Sequence, residues 1–342
     1  MSFKIFFRAV ALWWVSALLT TGIAHAASSA RVTLRVGVAS QLGPDTWLKA
    51  ASLDKNLPYD IEWSYFVASP AGLEALRAGH IDVVMGSGQG VLGIAARRDS
   101  IVAVSAYRQT LFMGIVVPKG SPAKTAADLR GKKIAIYRAG GLHGTLAWML
   151  ADAGVGIDEV TIVNLAPADA LAAFSRGELD AWLVWDPSIA IAQSRYGARV
   201  LVVPQADDVG QFGFHYANRA AVANPAKRAA LTDYLVRHVK SMQWITSNPV
   251  EWAALQTQLA RIDEKAAHLS AHRAGISYSP INEALLASQQ QYADLMVDLG
   301  VIPKKVQVRG AFDVQFNHQL TLALSKQVGS AAQVRLVPLA QR

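Results

Sequence analysis

Gly177-Glu178-Leu179-Asp180-Ala181-Trp182-Leu183-Val184-Trp185-Asp186-Pro187 reads as a turn, a buried strand and a helix start. The chain carries a matching figure earlier, as Gly79-His80-Ile81-Asp82-Val83-Val84-Met85-Gly86-Ser87-Gly88-Gln89, at an offset of 177 − 79 = 98 residues. The same offset lays Lys133-Ile134-Ala135-Ile136 on Arg35-Val36-Gly37-Val38, and Leu171 and Phe174 on Leu73 and Leu76. Each unit is a strand, a loop and helix, a Gly-x-x-Asp turn and a second buried strand. One offset that aligns strand, helix and turn together predicts two similar lobes.

Short apolar runs at 32–38, 81–85, 101–105, 115–117, 134–137, 182–185 and 200–203 read as further strands. Helical spacing lies between them, as in Leu146, Met149 and Leu150. Such alternation predicts an α/β fold with mainly parallel sheets and helices on their faces. From about Asn224 to Leu299 the pattern is mostly helical, with Pro225 and Pro249 at helix starts. In open α/β sheets a ligand sits beyond the carboxyl ends of strands. The loops 40–45 and 86–90 and their counterparts 138–143 and 184–188 would then line one cleft.

Those loops carry the candidate binding residues. Ser87-Gly88-Gln89 follows a strand and opens a helix, so its backbone N–H groups and the positive helix end suit an anion. A tight turn that needs glycine is the alternative, and no Gly-Lys-Ser/Thr follows to make a Walker loop. Arg138-Ala139-Gly140-Gly141-Leu142-His143 occupies the matching place. His143 either donates to an anion or packs the helix start. Trp185 covers an apolar ligand tail or joins the core. Asp186 caps the next helix or meets an amino group. Tyr107, Phe212, Phe214 and Tyr278 are further aromatic candidates, for the site or for the core.

The formal charge is +8, or 8 − 2 = +6 without Lys4 and Arg8, which favours anionic partners. The basic residues are scattered, which argues against nucleic acid. Lys4 and Arg8, the apolar residues 9–19 and Ala24-His25-Ala26 form a secretory leader, with cleavage expected after Ala26. The chain has no cysteine, which excludes disulfides, thiolate metal sites, a cysteine nucleophile and a lipidated cysteine. A soluble periplasmic protein is expected. No HExxH, GxSxG or other catalytic or metal-binding set is found, so no catalytic residue, metal or cofactor is assigned.

At this level the chain resembles the nitrate/sulfonate/taurine family of ABC-transporter solute-binding proteins, above all the aliphatic sulfonate binders. The strings that carry the likeness are Pro118-Lys119-Gly120-Ser121-Pro122, Ala127-Asp128-Leu129-Arg130-Gly131-Lys132-Lys133 and Pro167-Ala168-Asp169-Ala170. Gly177-Glu178-Leu179-Asp180-Ala181-Trp182, Trp185-Asp186-Pro187 and Leu299-Gly300-Val301-Ile302-Pro303 continue it. The resemblance implies a bilobal periplasmic-binding-protein type II fold, a Venus flytrap. Lobe 1 would comprise 27–112 and 213–322, lobe 2 113–212, and a C-terminal tail 323–342. Two hinge crossovers would lie near 112–117 and 212–217.

The resemblance further implies a small organic anion, an aliphatic sulfonate or taurine-like, held by Gln41, Ser87, Gly88, Gln89, Gly140, Gly141 and His143. Trp185 and Asp186 would lie beside its organic part. The protein would be a monomer that hands its ligand to an ABC permease in the inner membrane. Gly140 and Gly141 stand where many family members carry hydroxyl or amide side chains, which leaves room for a larger head group. Nitrate or an aromatic sulfonate, an exported sensor, and an enzyme on the same fold are the alternatives. A desulfinase of this fold needs a cysteine, which this chain lacks.

Overall fold

A computed structural model describes residues 31–40, 42–97, 99–110, 113–138, 142–204, 212–273 and 275–325. The leader lies outside these residues, as do Gln41, Gly140, Gly141 and residues 326–342. The chain begins β1 (Thr33–Val38), α1 (Pro44–Ala50), β2 (Asp60–Tyr65), α2 (Ser69–Arg77), β3 (Val83–Ser87), α3 (Gln89–Arg97) and β4 (Ile101–Thr110). It continues β5 (Met113–Val117), β6 (Lys133–Ile136), α4 (Leu142–Ala151), β7 (Thr161–Asn164), α5 (Pro167–Ser175), β8 (Ala181–Trp185), α6 (Ser188–Tyr196) and β9 (Arg199–Val202). Then come β10 (Phe212–Asn218), α7 (Arg219–Ala223), α8 (Pro225–Ser247), α9 (Pro249–Ala260), α10 (Glu264–Arg273), β11 (Gly275–Ser279), α11 (Glu283–Asp298) and α12 (Asn317–Ser325).

The strands form two separate sheets, ordered β11-β4-β10-β3-β1-β2 and β7-β6-β8-β5-β9. The chain leaves the first sheet at Thr110, enters the second at Met113, and rejoins the first at Phe212. The sheets are mixed, which corrects the expectation of mainly parallel ones. β1 and β6 lie between parallel neighbours. β10 runs antiparallel to β3 and β4, and β5 antiparallel to β8 and β9. β5 and β10 are the strands by which the chain arrives from the other sheet, so neither is set in direction by a βαβ crossover within its own sheet.

The repeat is physical. α2 and α5 begin at Ser69 and Pro167, and β3 and β8 at Val83 and Ala181, each pair 167 − 69 = 181 − 83 = 98 residues apart. Asp82 Oδ2 accepts from the Arg35 N–H at 2.9 Å, and Asp180 Oδ2 from the Lys133 N–H at 2.8 Å. Gly79 and Gly177 end the preceding helices with φ of 76° and 74°, the left-handed region where a Cβ is unfavourable.

Leu34, Val36 and Val38 are fully buried in β1, because a central parallel strand is covered on both faces. Leu231, Tyr234, Leu235 and Val239 of α8 pack against Leu34, Val36 and Val83. Pro225 does start α8, and Asn224 caps it by accepting from the N–H groups of Ala226 and Lys227. Beneath α8, His238 meets His215 of β10 with Nδ1 and Nε2 2.7 Å apart. Burial pushes the His215 pKa down to about 3, so the ring is neutral at physiological pH. α12 runs to Ser325, three residues into the stretch read as a tail, and buries Leu320. Among the described residues no helix is long and apolar enough to cross a membrane.

Candidate functional site

A cavity of about 220 Å³ lies between the two sheets. It is bounded by the loops that follow β1, β2, β3 and β8, at the carboxyl ends of those strands. Part of its lining is polar, with hydroxyl and amide side chains. Ser40 comes from the loop after β1, Ser69 from the first residue of α2, Ser87 and Gln89 from the β3–α3 junction, and Thr145 from α4. The start of α2 has no side-chain cap, so its first N–H groups remain available to a ligand. Leu142, the first residue of α4, also lines the cavity, so helix starts from both sheets face one space. Aligned helix termini of this kind favour negative charge.

The β3–α3 loop is pinned from behind. Tyr216 Oη donates to the Ser87 carbonyl at 2.6 Å, and the Val91 N–H donates to the Gly88 carbonyl at 3.2 Å. A Cβ on Gly88 would lie 2.9 Å from the Phe212 carbonyl oxygen. Glycine is therefore required here by close packing of two backbones, and the loop's N–H groups are held in place.

One end of the cavity is set in an apolar cluster. Trp47, Tyr107, Ile245, Trp252 and Ile276 line it, and all five belong to one packed group of side chains. Gln256 and Ser270 are the buried polar residues on its walls. Among the described residues the one charged side chain on the cavity is Asp186. Asp186 Oδ1 accepts from the Ala190 N–H at 3.1 Å and so caps α6. Its Oδ2 lies 2.8 Å from Arg273 Nε of α10, an ion pair between the two lobes. Burial raises the Asp186 carboxyl to about 6, against the opposing pull of Arg273 and of the Ala190 N–H.

The structure brings Ser87, Gly88, Gln89, Trp185 and Asp186 together on the cavity. Gln41, Gly140 and Gly141 lie outside the described residues. His143 is half-buried in the first turn of α4, but it is not on the cavity wall. Leu142 and Thr145, one helical turn apart, take that face, and His143 is rotated away from it. Burial, and then the charge of Arg138, lower its pKa below the ordinary 6.5, so it brings no fixed positive charge. Tyr107 and Phe212 line the cavity as the aromatic reading allows, whereas Phe214 is wholly core. Sequence reasoning missed Trp47, Trp252, Gln256, Ser270 and Tyr292. Thr145 could have been found from the helical phase of Leu142; the residues of α9, α10 and α11 carry no local signal.

Two α/β lobes, two chain crossings and a cavity at the strand ends define a bilobal fold of the periplasmic-binding-protein kind. Residues 68–251 match the family model described as NMT1/THI5 like. Over 308 residues the chain is 32% identical to an Escherichia coli (strain K12) protein that carries the name of an aliphatic sulfonates-binding protein, covering 85% of this chain and 92% of that one. The alkanesulfonate-binding protein of Xanthomonas axonopodis pv. citri, bound to MOPS, superposes with a TM-score of 0.72 at 25% identity, over 83% of this chain and 98% of that one. The periplasmic aliphatic sulphonate binding protein of Escherichia coli gives 0.71 at 29% identity, over 84% and 99%. The chain belongs to the NMT1/THI5-like family, and its fold is the bilobal one of the periplasmic sulfonate binders.

Proposed function

We propose that this protein is the periplasmic solute-binding component of an ABC importer, and that it takes a small organic anion of the aliphatic sulfonate class between its lobes. The observation that carries the reading is the convergence of uncharged donors and helix starts from both sheets on one cavity. A sulfonate presents three acceptor oxygens and stays ionised at any physiological pH. Neutral hydroxyl, amide and backbone N–H donors match it without a counter-charge. The relatives named above are binding proteins, and the reading here is of a binder without turnover.

Taurine is the weaker form of the same reading. Its ammonium group would need a carboxylate, and Asp186 is already engaged by Arg273 and α6. The lobes in this reading are 27–112 with 213–322, and 113–212, after removal of residues 1–26. Closure about the two crossings would be the form that a permease recognises, with the protein a monomer.

Ligand-induced thermal stabilisation across alkanesulfonates, taurine, aromatic sulfonates, nitrate and alkyl carboxylates tests this. Alkanesulfonates should raise Tm most, taurine less. A flat response of folded protein across the panel would overturn the reading.

A further inference from the structure

The apolar end of the cavity holds polar atoms that nothing among the described residues answers. Gln256 of α9 is 1% exposed and lines the cavity, and neither its Oε1 nor its Nε2 has a hydrogen-bond partner. Trp47 of α1 lines the same cavity, and its Nε1 is buried without a partner. Ile245, Trp252 and Ile276 supply apolar wall beside them. Native proteins rarely leave a buried amide wholly unpaired, and such a group is unfavourable unless something else meets it. An aliphatic side chain of similar size would have sealed this wall without that penalty.

We propose that Gln256 is a specificity residue for the distal end of the ligand, and that the preferred ligand is an organic anion whose apolar body ends in an uncharged hydrogen-bonding group. The proposal rests on the organic-anion reading above and narrows it. Glutamine offers one acceptor and two donor hydrogens, and the Trp47 indole one donor more, so a hydroxyl, ether or amide fits. A second charge does not, because Asp186, the one charged side chain among the described lining residues, is already paired. The anionic head would take the serine-rich loop end, the tail would run past Tyr107 and Ile276, and its polar tip would satisfy Gln256.

Calorimetric titration of ω-hydroxyalkanesulfonates against plain alkanesulfonates of equal length tests the assignment. In the wild-type protein one length of the hydroxy series should bind about tenfold more tightly than its plain partner. Gln256→Met, which keeps length and shape, should bring that ratio to one or below while the plain series still binds. Trp47→Phe, which keeps the ring and removes the N–H, should lower the ratio in part and serves if the methionine variant does not fold. Equal binding of the two series at every length, or a ratio unchanged in both variants, would overturn the specificity role. Failure of both series to bind folded wild-type protein would instead overturn the organic-anion reading, and the specificity role with it.

Discussion

Gly88 shows how narrowly the β3–α3 loop is built. A Cβ there would stand 2.9 Å from the Phe212 carbonyl oxygen and 3.3 Å from Gln289 Oε1, and the first of these is backbone that cannot step aside. Gly88→Ala should therefore displace the loop, lower stability by roughly 1–3 kcal/mol and weaken alkanesulfonate binding at least about tenfold. Gly93, one turn into α3, has nothing within 4 Å of its would-be Cβ, so Gly93→Ala should gain about 0.5–1 kcal/mol with binding unchanged. Thermal melts of both variants, with and without ligand, check the contrast. Gly88 was legible in the sequence because a glycine-rich turn between an apolar strand and a helix is a local signal. Gln256 was not, because a glutamine on an amphipathic helix reads as surface until the helix is docked. His143 lies off the cavity wall by helical phase, one residue from Leu142, which lines it.

Asp82 and Asp180 occupy equivalent places in the two repeats, and their surroundings differ. Asp82 is 2% exposed and takes hydrogen bonds from Arg35 and from Lys227 of α8. Burial alone would raise its carboxyl, but the hydrogen bonds of Arg35 and Lys227 outweigh that and hold it below the ordinary value. Its contribution is thus present at neutral pH and is lost as pH falls through its lowered pKa. Asp180 is exposed and accepts from the Lys133 N–H. Asp82→Ala should cost about 1.5–3 kcal/mol, because it removes the charged hydrogen-bond partner of Arg35 and Lys227, and Asp180→Ala about 1 kcal/mol. Denaturant unfolding would separate them, and equal losses would contradict the difference. The repeat was readable at this scale because Gly-x-x-Asp and the apolar strands recur at one offset. β2, β7 and β11 were not, since each is a sheet-edge strand with a half-exposed, partly polar sequence that mimics a loop.

The lobes meet along α6 and α10. Asp186 pairs with Arg273 at 2.8 Å, Ser194 Oγ donates to Asp263 Oδ1 at 2.6 Å, and Arg195 Nε lies 3.1 Å from Asp263 Oδ2. Burial lifts the Asp186 pKa from 3.8 to about 6. Between 3.8 and about 6 the folded protein therefore retains a proton that the unfolded chain has released, and the stability this adds is lost as pH rises through that window. Relative to Asp186→Asn, the wild type should lose up to about 3 kcal/mol between the two pKa values. Paired melts across that pH range would show it as a narrowing gap, and parallel curves would contradict it. Alternating strands and helices announce an α/β protein, but only the long-range crossings decide that β5 and β10 run against their neighbours. In the proposed function the cavity between these lobes takes an organic anion, and calorimetric titration of a medium-chain alkanesulfonate into the folded protein is the test. A saturable one-to-one isotherm that weakens in Gly88→Ala is predicted, and the absence of saturable heat with folded wild-type protein would contradict it.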